Sequence, residues 1–284
     1  MRFERSRFSE QALARYASLF AACFPTAHKL QRIDYLRWLY LDNPLGEAVG
    51  FDAFDGERLA AHYICTRAQV SLEGRPGPAL LSLNTATHPD FQGRGLFTKL
   101  AELTYETGAS EGSGFVYGVA NANSTPGFLR KLGFGLVAPL EARFGVGPLG
   151  RFDWERIARE ARFRQAWTPE YLRWRLANPA NPVAVRVEDG RRIGVSAATG
   201  TPMLEAWAEI PAVPDLRITP RRGAPSARLW LGLMPQGAGR LGLFPPVPSR
   251  LRPSPLNLIF KPLAGGPVPR SGEVAFSFLD FDAF

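Results

Sequence analysis

The spacing of apolar positions changes repeatedly along the first half of the chain, and each change marks an element. Residues 2–8 set Phe3 between polar neighbours and read as a short strand. Leu13, Tyr16, Leu19, Phe20 and Cys23 then recur at helical spacing, with Ser9 placed to cap the start. A second helix is predicted over 32–41, and it must stop at Asp42-Asn43-Pro44, where proline forbids continuation. Residues 51–54 and 58–71 read as strands around an Asp55-Gly56 turn, and 79–87 as a strong buried strand. A glycine-containing segment leads from it into a helix over 96–107. A strand over 115–120, a short helix over 125–132 ending at Gly133, and one or two strands over 134–146 complete the pattern. This order predicts an α+β domain over residues 1–148.

The second half is patterned differently. Residues 151–164 and 169–176 read as helices, and short strands follow from Val183 onward. Fourteen of the 25 prolines lie between Pro202 and Pro269, which rules out long helices there. Apolar runs at 229–233, 241–244 and 256–260 mark this region as folded and β-rich, a second domain over 149–284. The halves also share an echo. Tyr35-Leu36-Arg37-Trp38 returns as Tyr171-Leu172-Arg173-Trp174, and Asn43-Pro44 returns as Asn178-Pro179 at nearly the same offset. A diverged duplication explains it.

Composition narrows the partners without choosing one. Lys and Arg number 34 against 26 Asp and Glu, a formal charge of +8, which suits an anionic ligand or a basic solvated surface. Two cysteines, Cys23 and Cys65, sit in apolar stretches and supply neither a disulfide framework nor a zinc site. Three histidines add too little for a metal centre, so a reducing, cytoplasmic setting without a structural metal is expected. The N-terminal apolar stretch is broken by Glu4, Glu10 and Arg15 and reads as an amphipathic helix rather than a leader. No run approaches 18 uninterrupted apolar residues, so no membrane span is expected.

Chemistry concentrates between Leu81 and Leu100. A buried strand ends at His88-Pro89, a turn carries Gln92-Gly93-Arg94-Gly95, and a helix opens at once with Leu96-Phe97-Thr98-Lys99. Free N–H groups at such a helix start, together with its dipole, favour an anion. Gly93 and Gly95 let a pyrophosphate come close, and Arg94 and Lys99 add charge. The Gly-Lys-Ser/Thr ending of a Walker loop is missing. Gly145-Val146-Gly147-Pro148-Leu149-Gly150 fits a dinucleotide-loop pattern, but Pro148 lacks an amide the phosphate would need, and a tight interdomain turn is the better reading.

The segment Gln92-Gly93-Arg94-Gly95 resembles the acyl-CoA loop of the GNAT superfamily, with Phe97 where glycine or alanine is usual. Phe128-Leu129-Arg130-Lys131-Leu132-Gly133-Phe134 resembles the family's second motif at the proper distance. The resemblance implies a GNAT fold, a mixed, mostly antiparallel sheet flanked by helices, followed by a degenerate GNAT-like or acceptor-shaping half. It implies acetyl-CoA or another short acyl-CoA as co-substrate. The pantetheine arm would run beside Thr85, Ala86 and Thr87, and the pyrophosphate would sit on the amides of Gln92, Gly93, Arg94, Gly95, Leu96, Phe97 and Thr98. Asn121, Asn123 and Phe128 would flank the thioester and the arm, and an amide near Ala86 would stabilise the oxyanion. The tyrosine that commonly serves as general acid falls on Leu129. The acid and base therefore stay unassigned, with His88 a weak candidate. The activity implied is transfer of an acetyl or short acyl group to a small-molecule amine. The Tyr-Leu-x-Trp and Asn-Pro copies are similar to GNAT enzymes of bacterial surface-polysaccharide biosynthesis, whose acceptors are amino sugars on nucleotide carriers. Such an anionic acceptor would suit Arg217, Arg221 and Arg222; nucleic acid is not the expected partner. Two alternatives stand beside this reading. One is a CoA-binding scaffold without activity, motivated by Leu129 and Phe97. The other is a Fem-type aminoacyl-tRNA-dependent transferase, motivated by the paired halves.

Overall fold

The computed structural model describes residues 1–224, 226–252 and 254–284. The first half contains β1 (Arg2–Arg5), α1 (Glu10–Cys23), α2 (Ile33–Tyr40), β2 (Val49–Asp55), β3 (Arg58–Leu72), β4 (Arg75–Thr87), α3 (Leu96–Ser110), β5 (Phe115–Ala120), α4 (Thr125–Leu132), β6 (Gly135–Pro139) and β7 (Glu141–Gly145). The second contains β8 (Gly150–Phe152), α5 (Trp154–Glu160), β9 (Phe163–Gln165), α6 (Pro169–Leu176), β10 (Ala184–Glu188), β11 (Arg192–Ala198), β12 (Leu204–Pro211), β13 (Ala227–Leu233), β14 (Gly239–Leu241), β15 (Asn257–Pro262) and β16 (Phe276–Ser277).

Alternation along β3 separates the two faces of the larger sheet. Tyr63 and Cys65 pack with Leu100, Ala101 and Tyr105 of α3 and with Phe128 and Leu132 of α4. Ile64, one step out of phase, packs with Leu13, Phe20, Leu36 and Leu39 from α1 and α2. Ser9 caps α1 by accepting from the Ala12 amide, as its position implied. A polar knot ties the same elements together. The buried carboxylate of Asp52 on β2 accepts from Ser6 Oγ at 2.9 Å and from Tyr16 OH at 2.7 Å, and His62 Nδ1 lies 2.6 Å from it. A buried carboxylate needs such partners, because desolvation without them costs several kcal/mol.

The larger sheet runs β1-β2-β3-β4-β5-β15-β6, with β9 paired to the end of β3. The smaller runs β10-β11-β12-β13-β16, with β7 on β13. Both use the same connections, two antiparallel steps followed by a parallel one, β2-β3-β4-β5 in the first and β10-β11-β12-β13 in the second. The halves trade strands across residue 148. β15 lies between β5 and β6, while β7 joins the smaller sheet.

The echoed motifs meet. Trp38 and Trp174 stack with ring centroids 4.7 Å apart, and each indole Nε1 donates to the other's carbonyl oxygen at 3.0 Å. The Asn-Pro copies repeat a local turn as well. Asn43 Oδ1 accepts from the amide two residues on, Leu45, and Asn178 Oδ1 does the same from Ala180, both at 2.9 Å.

Two predicted elements differ. Residues 151–164 are not one helix. Asp153 caps a helix of only seven residues, and Ala161 ends it in extended backbone. Phe163 and Gln165 turn the same way into the core from β9, an alternation that the neighbouring helical pattern concealed. The first strand is also shorter than 2–8, ending at Arg5.

Candidate active site

The larger sheet opens where two parallel neighbours part. β4 and β5 pair from Leu80 with Val116 to Ser82 with Gly118, and no further. Past that point β5 continues against β15, while β4 runs on to Thr87 against β3 alone. A bulge in β4 lies at the divergence, opposite the step from His62 to Ile64. Asn84 takes a left-handed φ of 48° there, and its side-chain amide donates to Tyr40 OH at 3.0 Å. Burial pushes the Tyr40 phenol well above its ordinary pKa, so it stays protonated at neutral pH. The His88 amide donates to the Ala60 carbonyl on β3. Antiparallel alternation therefore points the Ala86 amide toward β3 as well, and the Thr87 amide away from it, toward the side β5 has left.

The turn after β4 presents the helix start. Gly93 and Gly95 have φ of 76° and 73°, and a Cβ on either would meet nothing within 4 Å. Glycine is needed here for the handedness of the backbone, not for room. Gly95 is the N-cap of α3 and supplies no side-chain acceptor, so the first N–H groups of that 15-residue helix lack an intrahelical partner. They border a groove of about 360 Å³. Its lining includes Thr85, Thr87 and the whole run Gln92, Gly93, Arg94, Gly95, Leu96, Phe97 and Thr98. Arg94 is held in place by donating to the Asp90 carbonyl at 3.1 Å and by lying over the Phe91 ring.

Other expected residues lie elsewhere. Ala86 is buried and packs into the α1–α2 core. Asn121 spends its side-chain oxygen Oδ1 on the amides of Asn123 and Ser124, at 3.0 and 2.9 Å, and so shapes the loop before α4. Asn123 is exposed on that loop, and Phe128 is buried beneath it. Neither asparagine lines the groove, nor does Phe128. Phe97 turns inward, edge-on to Phe128 at 5.2 Å, and lies so close over Gly127 that a Cβ there would be 3.3 Å from its ring. Leu129 is half-buried against the same core. His88 Nδ1 accepts from the Asp90 amide at 3.2 Å, and Arg58 lies 3.0 Å from Nε2. His88 faces a different groove, beside Ser18 of α1 and Arg58.

Sequence reasoning missed three contributors. Lys131 of α4, not Lys99, lines the groove beside Arg94. Cys23 and Phe24, at the end of α1, close it from the other side. The third lies beyond the β4–β5 divergence, where a second opening of about 260 Å³ is lined by Ser82, Leu83, Asn84 and Val119 together with Leu256, Phe281, Asp282 and Ala283. The far end of the chain thus forms one wall. Asp282 is fixed there by Lys29 Nζ at 2.8 Å, by Tyr35 OH and by Arg175 at 3.5 Å. Burial alone would raise its carboxyl, but Lys29 and Arg175 outweigh burial and hold it below the usual carboxylate range. Only the run of aromatic residues from Phe276 to Phe284 hinted that this segment is packed.

Among the described residues there is no group of three or more metal-ligating side chains, and no helix is long and apolar enough to cross a membrane.

The comparisons agree with this geometry. Residues 5–137 match the family model described as an acetyltransferase (GNAT) domain. The matched residues include those that line the groove and those at the β4–β5 divergence. Several solved structures share the fold over nearly the whole chain. A GCN5-related N-acetyltransferase from Anabaena variabilis aligns with a TM-score of 0.58 at 10% identity, covering 92% of this chain and 73% of that one. A probable N-acyltransferase from Enterococcus faecalis aligns at 0.56 and 14%, covering 93% and 73%. A GCN5-related N-acetyltransferase from Kribbella flavida aligns at 0.56 and 11%, covering 92% and 72%. At such identities the likeness establishes the fold alone. A search of curated proteins returned no match.

Proposed function

We propose that the chain transfers an acetyl or similarly short acyl group from acyl-CoA to the amine of a small molecule. One observation carries the reading. The uncapped start of α3, over a turn with two left-handed glycines, borders a groove that runs along Thr85 and Thr87, on the stretch of β4 that β5 has left.

The residues present fit an acyl-CoA. The α3 amides, Arg94 and Lys131 would hold the pyrophosphate, and Thr85 to Thr87 would pair with the pantetheine arm along the free edge of β4. Bound there, the co-substrate supplies a thioester carbonyl at the divergence. The outward amide of Thr87, at the α3 end of the groove, is then a donor to the arm. The amine nitrogen attacks the carbonyl carbon, the carbon–sulfur bond breaks, the thiolate leaves with the electron pair, and the proton lost by the nitrogen passes to water. Leu129 has no proton to give, so departure relies on the low basicity of the thiolate or on a bound water. The acceptor enters beside Asn84, Val119 and Phe281, and the second half shapes its site through Leu256 and residues 281–283. Amino sugars, free and on nucleotide carriers, are the acceptors to screen first.

Calorimetric titration with acetyl-CoA should give micromolar binding, about −8 kcal/mol, that Gly95→Trp abolishes by filling the groove. Release of free thiol with a panel of amines should follow. No binding by the folded wild-type chain would overturn the proposal. Binding without turnover of any amine would favour the scaffold reading that Leu129 and Phe97 motivate.

A further inference from the structure

The parallel start of β12 and β13 in the smaller sheet lies beside another groove, of about 630 Å³. It is remote from the divergence of β4 and β5. Leu140 bonds to Leu256 at the second opening described above, whereas Val146 on the rim of this groove lies six residues further along β7 and its turn. At about 3.3 Å per residue that is roughly 20 Å of extended chain.

Four arginines line the groove against one glutamate. Their situations differ. Arg186 is committed, with Glu205 at 2.7 Å and Ser196 Oγ at 2.7 Å, and the glutamate is further satisfied by Ser226 Oγ at 3.0 Å. Arg228 lies flat on the buried Trp207, 3.4 Å from the ring centroid, and donates to the Gly147 carbonyl. Burial disfavours its charged form, so a bound anion would relieve it. Arg221 and Arg222 are exposed and pair with no carboxylate among the described residues. The rim supplies the opposite chemistry. Met203 is 80% exposed and Val146 60% exposed, unusual values for large apolar side chains. A flat cation, two uncompensated guanidiniums and an apolar rim together fit a planar ring joined to phosphate. A pure phosphate would leave Met203 and Val146 unused, and a purely apolar ligand would leave the arginines unmatched.

We infer that the groove between β12, β13 and the turn after β7 is a second ligand site, for a nucleoside phosphate. The ring would rest on Arg228, Met203 and Val146, and the phosphates on Arg221 and Arg222. This also gives a role to the glycine-rich turn Val146-Gly147, which the acyl-CoA site does not use.

The test is calorimetric titration of the full chain with UDP in saturating acetyl-CoA, at low salt, with uridine and inorganic phosphate titrated separately. UDP avoids the adenine and 3′-phosphate that would draw a probe into the acyl-CoA groove. The expected result is one UDP per chain, bound at least about tenfold more tightly than uridine or phosphate. Arg221→Glu with Arg222→Glu should weaken UDP about a hundredfold or more and leave acetyl-CoA binding unchanged; Met203→Ala should weaken UDP but not phosphate. Because these side chains are exposed, the variants should fold, and unchanged acetyl-CoA affinity will show that they do. Absence of UDP binding, competition between UDP and acetyl-CoA, or equal affinity in the double variant would each overturn the inference. So would tight binding of a single-stranded oligonucleotide with none of UDP, which would make the groove a nucleic-acid surface.

Discussion

In the larger sheet β4 and β5 are paired as far as Ser82 and Gly118 and then separate. In the smaller sheet β12 and β13 are paired as far as Trp207 and Trp230 and then separate. The wedge left in the first case is open. The wedge left in the second is filled by Trp154 and Ile157 of α5 with Trp167, Met234 and Phe276, leaving about 20 Å³, room for one water. The sequences after the two diverging strands explain the contrast. β4 leads through Gly93 and Gly95 into α3, whose N-terminus borders the groove along the freed stretch of β4, whereas no helix joins β12 to β13 among the described residues. Parting strands are therefore not enough to make a binding site. The glycine turn and the helix behind it are what distinguish the open wedge from the filled one.

Removing the plug is the most severe way to test that contrast. Trp154→Ala should destabilise the chain by about 3–5 kcal/mol in urea, the cost of a large cavity, and should create no second acetyl-CoA site. Two acetyl-CoA per chain in that variant would mean that the wedge alone suffices. Next in size is the contact that holds the copies together. Trp174→Ala should cost about 3 kcal/mol, and the double-mutant cycle with Trp38→Ala should show coupling of about 1–2 kcal/mol, since the two indoles stack and exchange hydrogen bonds. Additive losses would mean that the pair acts as two independent anchors.

The filled wedge also carries a titrating group. Burial raises the carboxyl of Asp280 to about 6, although Ser277 donates to it from both its amide and its hydroxyl. Unfolded, it ionises near pH 4. Between these values the folded chain holds a proton that the unfolded chain does not. Its stabilising contribution is present below about pH 4 and lost as pH rises through 6. Asp280→Asn should therefore gain on the wild type by about 1–3 kcal/mol between pH 4 and pH 7. A difference that stays flat with pH would place the proton elsewhere. The smallest effect belongs to the open half. Gly95→Ala should cost about 1–2 kcal/mol of stability, because its Cβ meets no atom and only the left-handed φ is penalised. A much larger loss would show that the turn is packed, contrary to the open groove.

The open half was the more legible in sequence. Its strand Phe115–Ala120 and helix Thr125–Leu132 fall where the pattern placed them, because period, proline and Gly133 are local signals. The turn from Gln92 to Gly95 was readable for the same reason. What escaped was pairing at long range. Nothing in Asn257–Pro262 says that its neighbours are β5 and β6, more than a hundred residues earlier, nor that residues 281–283 wall the second opening. Lys131 escaped for a milder form of that reason, since α4 must first be docked beside α3. The Tyr-Leu-Arg-Trp echo was visible as a repeat, but its meaning is the face-to-face contact of Trp38 with Trp174, which only the packed halves create.

Amide hydrogen exchange with and without acetyl-CoA addresses the central contrast most directly. The account predicts slowed exchange at Gly93 to Thr98 and at Thr85 to Thr87, with no change at residues 208–210 or 231–234. Protection in the smaller sheet instead, with the Gly93–Thr98 amides unaffected, would contradict it.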